Sequence, residues 1–130
     1  MKNNTRGFTL IEIMLVVAII AMLASIAVTN FYRAKIAAND TAALSTLRAV
    51  SHAIESYSSA KNGSFPMNFT SLTAATPPFI RSVPCDKTQN GFFYNCWFNA
   101  TGYFLQATPT SMGVTGTNSI SIITGGVLIP

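Results

Sequence analysis

Between Phe8 and Val28 the chain runs for 21 residues in which only Thr9, Glu12 and Ser25 are polar. As an α-helix rising 1.5 Å per residue, that run is about 30 Å long, the thickness of a bilayer's hydrocarbon core. A helix that packs on a soluble core shows a polar face, and this segment has none. A secretory signal peptide has a shorter apolar stretch that ends in small residues at a cleavage site. Here the run passes without a breaker into Asn30-Phe31-Tyr32-Arg33, an aromatic and basic edge suited to a membrane interface. The expectation is a retained membrane span. Composition agrees: 49% of residues are hydrophobic and 9% charged, against roughly 25% charged in soluble domains. That is too little charge to cover a free monomer, and it excludes a disordered charged tail.

The charges are placed unevenly. Glu12 alone lies between Gly7 and Phe31, and no residue after Lys87 is charged. Lys2, Arg6 and the terminal amine precede the span, and Arg33 and Lys35 follow it, a bias of three to two that directs the N-terminus inside and the bulk of the chain outside. The net charge of +4 forms no basic stripe with interleaved aromatics, so no nucleic-acid groove is expected. Cys85 and Cys96 have neither a metal-ligand nor a redox spacing. In a reducing compartment they would be buried thiols. The outside placement makes a disulfide the expectation.

Glu12 is the anomaly of the span. A carboxylate there costs on the order of 2–3 kcal/mol even on lenient insertion scales. It can snorkel or protonate near the membrane surface, or it can meet a cation inside an assembly. The sequence offers such a cation only if the chain is cut before Phe8, which creates a new α-amine.

Lys2 to Arg6, then Gly7-Phe8-Thr9-Leu10-Ile11-Glu12 and an unbroken apolar helix, resembles the prepilin leader of type IV pilins and pseudopilins. The resemblance implies cleavage after Gly7 by a prepilin peptidase, which also N-methylates Phe8. It implies that Glu12 pairs with the Phe8 amine of an adjacent subunit and so sets assembly register. It further implies a homo-oligomeric helical filament, an inner-membrane assembly platform with its ATPase, and an outer-membrane secretin. The chain would be held in the inner membrane before export into an extracellular filament. Two positions depart from the pattern: Ala21 stands where many members carry Gly, and Thr29 where many carry Pro. Neither is a helix-breaker.

The domain expectation is a cleaved leader at 1–7, a transmembrane and filament-core helix at 8–31, and a head at 32–130 that includes the amphipathic half of the helix. Ile36, Ala43, Leu47, Val50, Ile54 and Tyr57 form an apolar stripe at helical spacing, and Asn62-Gly63 supplies the stop. Pro66, Pro77, Pro78 and Pro84 mark an irregular linker that Leu72 and Ile80 can anchor. Strand-like runs follow at Phe92–Phe98, Tyr103–Thr108, Ser119–Thr124 and Val127–Ile129. Asn99–Gly102 and Gly125-Gly126 give hairpin signals. The fold class expected is α+β, a long N-terminal helix packed on a four-stranded antiparallel sheet.

No catalytic residue, metal or cofactor is assigned. His52 and Glu55 are an i, i+3 pair expected to be solvated, and Asp40 and Asp86 have no recognisable triad partners. Glycines 113, 116, 125 and 126 lack the helix and Lys of a phosphate loop. Trp97 and the aromatics Phe92–Tyr94 are expected to pack in the core. The leading function is a structural subunit of a type IV pilus serving adhesion, motility or DNA uptake. The alternatives are a type II secretion pseudopilin and a DNA-binding minor pilin. Major pseudopilins resemble one another in acidic calcium ligands late in the head, and here no acid follows Asp86.

Overall fold

The computed structural model describes residues 7–129, so the expected leader lies outside the described residues except for Gly7. The chain divides into two units, Met1–Ala34 and Lys35–Pro130. Helix α1 covers Leu10–Ala60 and contributes to both.

In the first unit every described residue is exposed. The helix is long and apolar enough to cross a membrane, with a mean hydropathy of 2.7 and none of the apolar window buried. Its polar residues are consistent with such surroundings. Ser25 donates its hydroxyl to the Met22 carbonyl at 2.7 Å, and Thr29 donates to that of Ile26 at 2.9 Å. Both hydroxyls are thereby satisfied without water. Ala21 and Thr29 sit in unbroken helix.

In the second unit the apolar stripe becomes the core. Ala43, Leu47, Val50 and Ile54 are buried against Phe92, Tyr94, Leu105, Ala107 and Ile122 of the sheet. Each large aliphatic there contributes on the order of 1.5–3 kcal/mol. The helix stops where the left-handed residue Asn62 (φ 53°) and Gly63 (φ 87°) turn the chain. The Gly63 N–H then reaches back to the Ser58 carbonyl at 2.8 Å, a Schellman-type closure. The linker that follows carries a single turn of helix, α2 (Thr70–Thr73), and is pinned by Leu72 and by aromatic pairs. Tyr57 meets Phe79 edge-on at 5.5 Å, and Phe69 meets Phe98 at 4.6 Å.

The sheet is an antiparallel meander of five strands in the order β1-β2-β3-β4-β5: β1 Lys87–Gln89, β2 Phe92–Asn99, β3 Gly102–Pro109, β4 Ile120–Ile123 and β5 Val127–Ile129. The expected four strands are therefore corrected to five. The added β1 is short, polar and exposed, so it carries no apolar alternation to mark it. Its signal lies in the turn. Asn90 (φ 51°) and Gly91 (φ 76°) link Gln89 to its partner Phe92, the two positive φ values of a type I′ hairpin. Cys85, just before β1, is joined by a disulfide to Cys96 in β2, with Cα atoms 5.7 Å apart. Closing that short loop stabilises the fold by roughly 3 kcal/mol on the chain-entropy estimate.

Among the described residues, the Tyr94 hydroxyl is the one buried side-chain polar atom without a hydrogen-bond partner. Its polar neighbour Thr46 donates to the Ala42 carbonyl at 2.8 Å and makes no hydrogen bond with it. A buried unpaired hydroxyl costs about 1–3 kcal/mol. Tyr94→Phe is therefore expected to stabilise the chain by about 1 kcal/mol, read as a higher midpoint in denaturant unfolding.

Candidate functional site

The N-terminal site is built on a helix cap. Thr9 precedes the first helical residue, and Glu12 is the third residue inside. The Thr9 N–H and hydroxyl both donate to Glu12 Oε2, at 3.3 and 3.2 Å, and the Glu12 N–H donates to Thr9 Oγ1 at 3.3 Å. This is the reciprocal capping box, with an acid favourably placed at the positive end of the helix. The Thr9-x-x-Glu12 spacing is the sequence signature of this cap. Glu12 therefore has a partner within its own chain, and Phe8 and Gly7 stand exposed beside it.

In the head, two polar clamps hold the sheet to α1. Asp40 accepts from the Thr117 N–H at 3.0 Å and from its hydroxyl at 2.8 Å, while the Asn39 amide donates to the Thr115 carbonyl at 2.9 Å. Fifteen positions along the helix, Glu55 Oε1 accepts from the Tyr103 hydroxyl and from the Gly125 N–H, both at 2.8 Å. Tyr103 gives its proton to Glu55, so Ser51 must donate to the Tyr103 oxygen at 2.8 Å, where the Gly126 N–H joins it at 3.2 Å. Burial pushes the Tyr103 hydroxyl above its ordinary pKa of 10. The Ser51 bond opposes that shift and the Glu55 carboxylate reinforces it. The phenol thus stays neutral and keeps its role as donor.

His52 is exposed, and its neighbour Glu55 is engaged by this clamp rather than offered to a metal. Asp40 is likewise committed to the Thr117 segment. The Asn99 side chain accepts from the Thr101 N–H and hydroxyl, both at 2.9 Å, and so shapes the β2–β3 turn. The expected core packing of the aromatics holds for Phe92 and Tyr94 but not for Phe93, which is exposed, or Trp97, which is 53% exposed. Alternation along β2 is the reason, since residues 92 and 94 point inward and 97 falls on the opposite face. Trp97 lies against Phe104 of β3 with ring centroids 5.3 Å apart.

Residues 2–28 match the family described as the prokaryotic N-terminal methylation motif. The chain is 35% identical over 86 residues to the type IV wide pilus major component PilA4 of Thermus thermophilus, covering 66% of this chain and 63% of that protein. It is 46% identical over 59 residues to the type IV major pilin protein PilA of Myxococcus xanthus, covering 45% and 27%. It is 35% identical over 91 residues to the type II secretion system core protein G of Dickeya chrysanthemi, covering 66% and 59%. The matches thus span less than two thirds of each relative's length. No solved structure matches the chain.

Two outcomes follow from the Glu55 clamp. Glu55→Ala removes two hydrogen bonds to a charged acceptor, from the Tyr103 hydroxyl and the Gly125 N–H, and should cost about 1.5–3 kcal/mol in denaturant unfolding. The raised pKa values of Tyr103 and Tyr94 mean that the folded state holds these protons more tightly than the unfolded chain. Their stabilisation is fully present below the unfolded value of about 10 and is lost as pH rises through the folded values. Melting temperature should therefore fall above about pH 10, with a shallower slope in Tyr103→Phe.

Proposed function

We propose that this chain, a member of the type IV pilin and pseudopilin family, is a structural subunit that polymerises through its apolar N-terminal helix into a surface pilus. The observation that carries this reading is the helix itself. From Phe8 to Tyr32 it buries nothing within its own chain, and it holds one acid at a fixed offset from the new terminus that cleavage after Gly7 would create.

The mechanism is physical, and no catalysis is assigned. The span is compatible with lipid before assembly and with a bundle of like helices afterwards, so a subunit can pass between them at small cost. A prepilin peptidase removes the leader after Gly7 and methylates the Phe8 amine. The cut also removes Lys2 and Arg6, lowering the net charge by two. The chain waits in the inner membrane with its N-terminus inside. An ATPase-driven platform then moves it into a filament that leaves through an outer-membrane secretin. In the filament Glu12 faces the Phe8 amine of a neighbour. A misaligned subunit leaves a buried charge unpaired, at about 3–5 kcal/mol, and that penalty sets register.

A second reading, a pseudopilin of a type II secretion machine, is favoured by the similarity to core protein G. The uncharged chain beyond Lys87 offers none of the late acidic calcium ligands that major pseudopilins would lead one to expect.

The capping box separates the two roles of Glu12. Glu12→Gln keeps the Thr-x-x-Gln cap and removes the charge, whereas Glu12→Val removes both. Both variants should insert in the membrane and be processed, and both should lose filaments by at least about tenfold, the effect of a few kcal/mol per subunit contact. Normal fibres from Glu12→Gln, counted by negative-stain microscopy of sheared surfaces, would contradict the charge-pairing role. Replacing Gly7 should abolish the mature Phe8 terminus, as read by mass spectrometry.

A further inference from the structure

The inner residues of β2 and β3 form the core with α1. Alternation puts three cross-strand pairs on the other face: Phe93 with Thr108, Asn95 with Gln106, and Trp97 with Phe104. Trp97 is 53% exposed and Phe93 37%, and the other four are half-buried. Three aromatic rings gathered on one outer face are the kind of surface that marks a binding site. Trp97 and Phe104 lean on one another at 5.3 Å with their planes 47° apart, so each holds the other in place.

The order of the pairs narrows the chemistry of the ligand. Phe93 and Trp97 stand four strand steps apart, about 13 Å, and the carboxamides of Asn95 and Gln106 lie between them, each carrying donors and acceptors. At the Trp97 end the face deepens into a cleft of about 210 Å³, with Asn99 and Thr101 opposite the two rings. Asn99 Oδ1 already accepts the Thr101 N–H and hydroxyl, so what it offers a ligand is its NH2. Strands β2 and β3 carry no charged residue. Tyr103, in the wall of the cleft, is bonded to the Glu55 carboxylate, so the charge behind that wall is negative. Stacked nucleic-acid bases need a basic groove for their phosphates, and this face has none. A wholly apolar partner would leave the carboxamides without hydrogen bonds. The ligand that meets both demands is neutral, apolar on its flat faces and rich in hydroxyls at its edges.

We infer that the outer face of β2 and β3 binds a neutral, extended saccharide, with sugar rings stacked on the Trp97–Phe104 pair and on Phe93 and hydroxyls bonded to Asn95, Gln106 and Asn99. A ribbon-like β-1,4-linked glycan suits the face, because its rings present their C–H surfaces along a line, as the aromatics do along β2. Aromatic platforms with a few placed polar groups are the usual makings of a small-ligand site. The site is complete in one chain, so the inference does not rest on polymerisation.

Trp97 is the chain's sole tryptophan, so its emission reports on the site. With the full-length chain in micelles of a sugar-free detergent, cellohexaose or N-acetylated chitohexaose should change that emission saturably. In calorimetric titration, Trp97→Ala and the double variant Asn95→Leu with Gln106→Leu should each bind at least about tenfold more weakly, while keeping the disulfide and the circular dichroism of the parent. The anions oligogalacturonate and oligothymidylate should bind at least about tenfold more weakly than the neutral glycans. Neither heat nor emission change with either glycan at millimolar concentration overturns the inference. So does binding that survives Trp97→Ala, or an anion that binds as well as the glycans. An emission shift that comes on polymerisation and never with a glycan overturns it in favour of packing between copies. Glycan binding by a processed wild-type chain that never polymerises supports this inference and overturns the subunit reading alone.

Discussion

An apolar helix that finds no partner in its own chain must be covered by something else, and this constraint organises the molecule. From Phe8 to Tyr32 the large side chains of α1 are exposed, while its backbone and its hydroxyls are satisfied internally. Such a segment is stable in lipid or among copies of itself and unstable in water. Membrane residence and polymerisation are thus two solutions to one solvation problem. They differ little in energy because each replaces water by hydrocarbon.

The head answers a different problem, which is how to hold a small meander on half of a helix. The stripe from Ala43 to Ile54 supplies the apolar contact, and the disulfide shortens the unfolded ensemble. The clamps at Asp40 and Glu55 decide where the loops end up. Each carboxylate gathers donors from a glycine- and threonine-rich segment that has no side chains able to pack. With charge confined to Asp40, Glu55, Asp86 and a few bases, much of the remaining head surface is neutral Ser, Thr and Asn. Neighbouring copies can therefore approach with little like-charge repulsion.

The helix, its stop at Asn62-Gly63 and four of the strands were legible because periodicity and turn residues are local signals. Strand β1 was not, because Lys87-Thr88-Gln89 is polar on both faces and only the Asn90-Gly91 turn betrays it. The clamps were not legible either. Glu55 meets Gly125 across 70 positions, and no pattern in one sequence pairs residues so distant. The relation of Glu55 that the chain displays locally is the one to His52, three residues away. Trp97 shows the opposite failure. Alternation from Phe92 and Tyr94 places it on the outer face, but its hydrophobicity argued for the core.

The capping box changes how the acid of the span is understood. In a bare apolar helix Glu12 is a cost, relieved by snorkelling, by protonation or by a cation inside an assembly. Its Oε2 is instead occupied locally by Thr9, which fixes the side chain's direction before any neighbour arrives. Among the described residues Oε1 accepts no hydrogen bond, so in the proposed filament one oxygen caps the helix while the other remains for the neighbouring amine. The cap also removes rotamer freedom that register pairing would otherwise have to overcome. Local helix chemistry and intermolecular register then reinforce one another at a single carboxylate, and a glutamine can serve only the first of them.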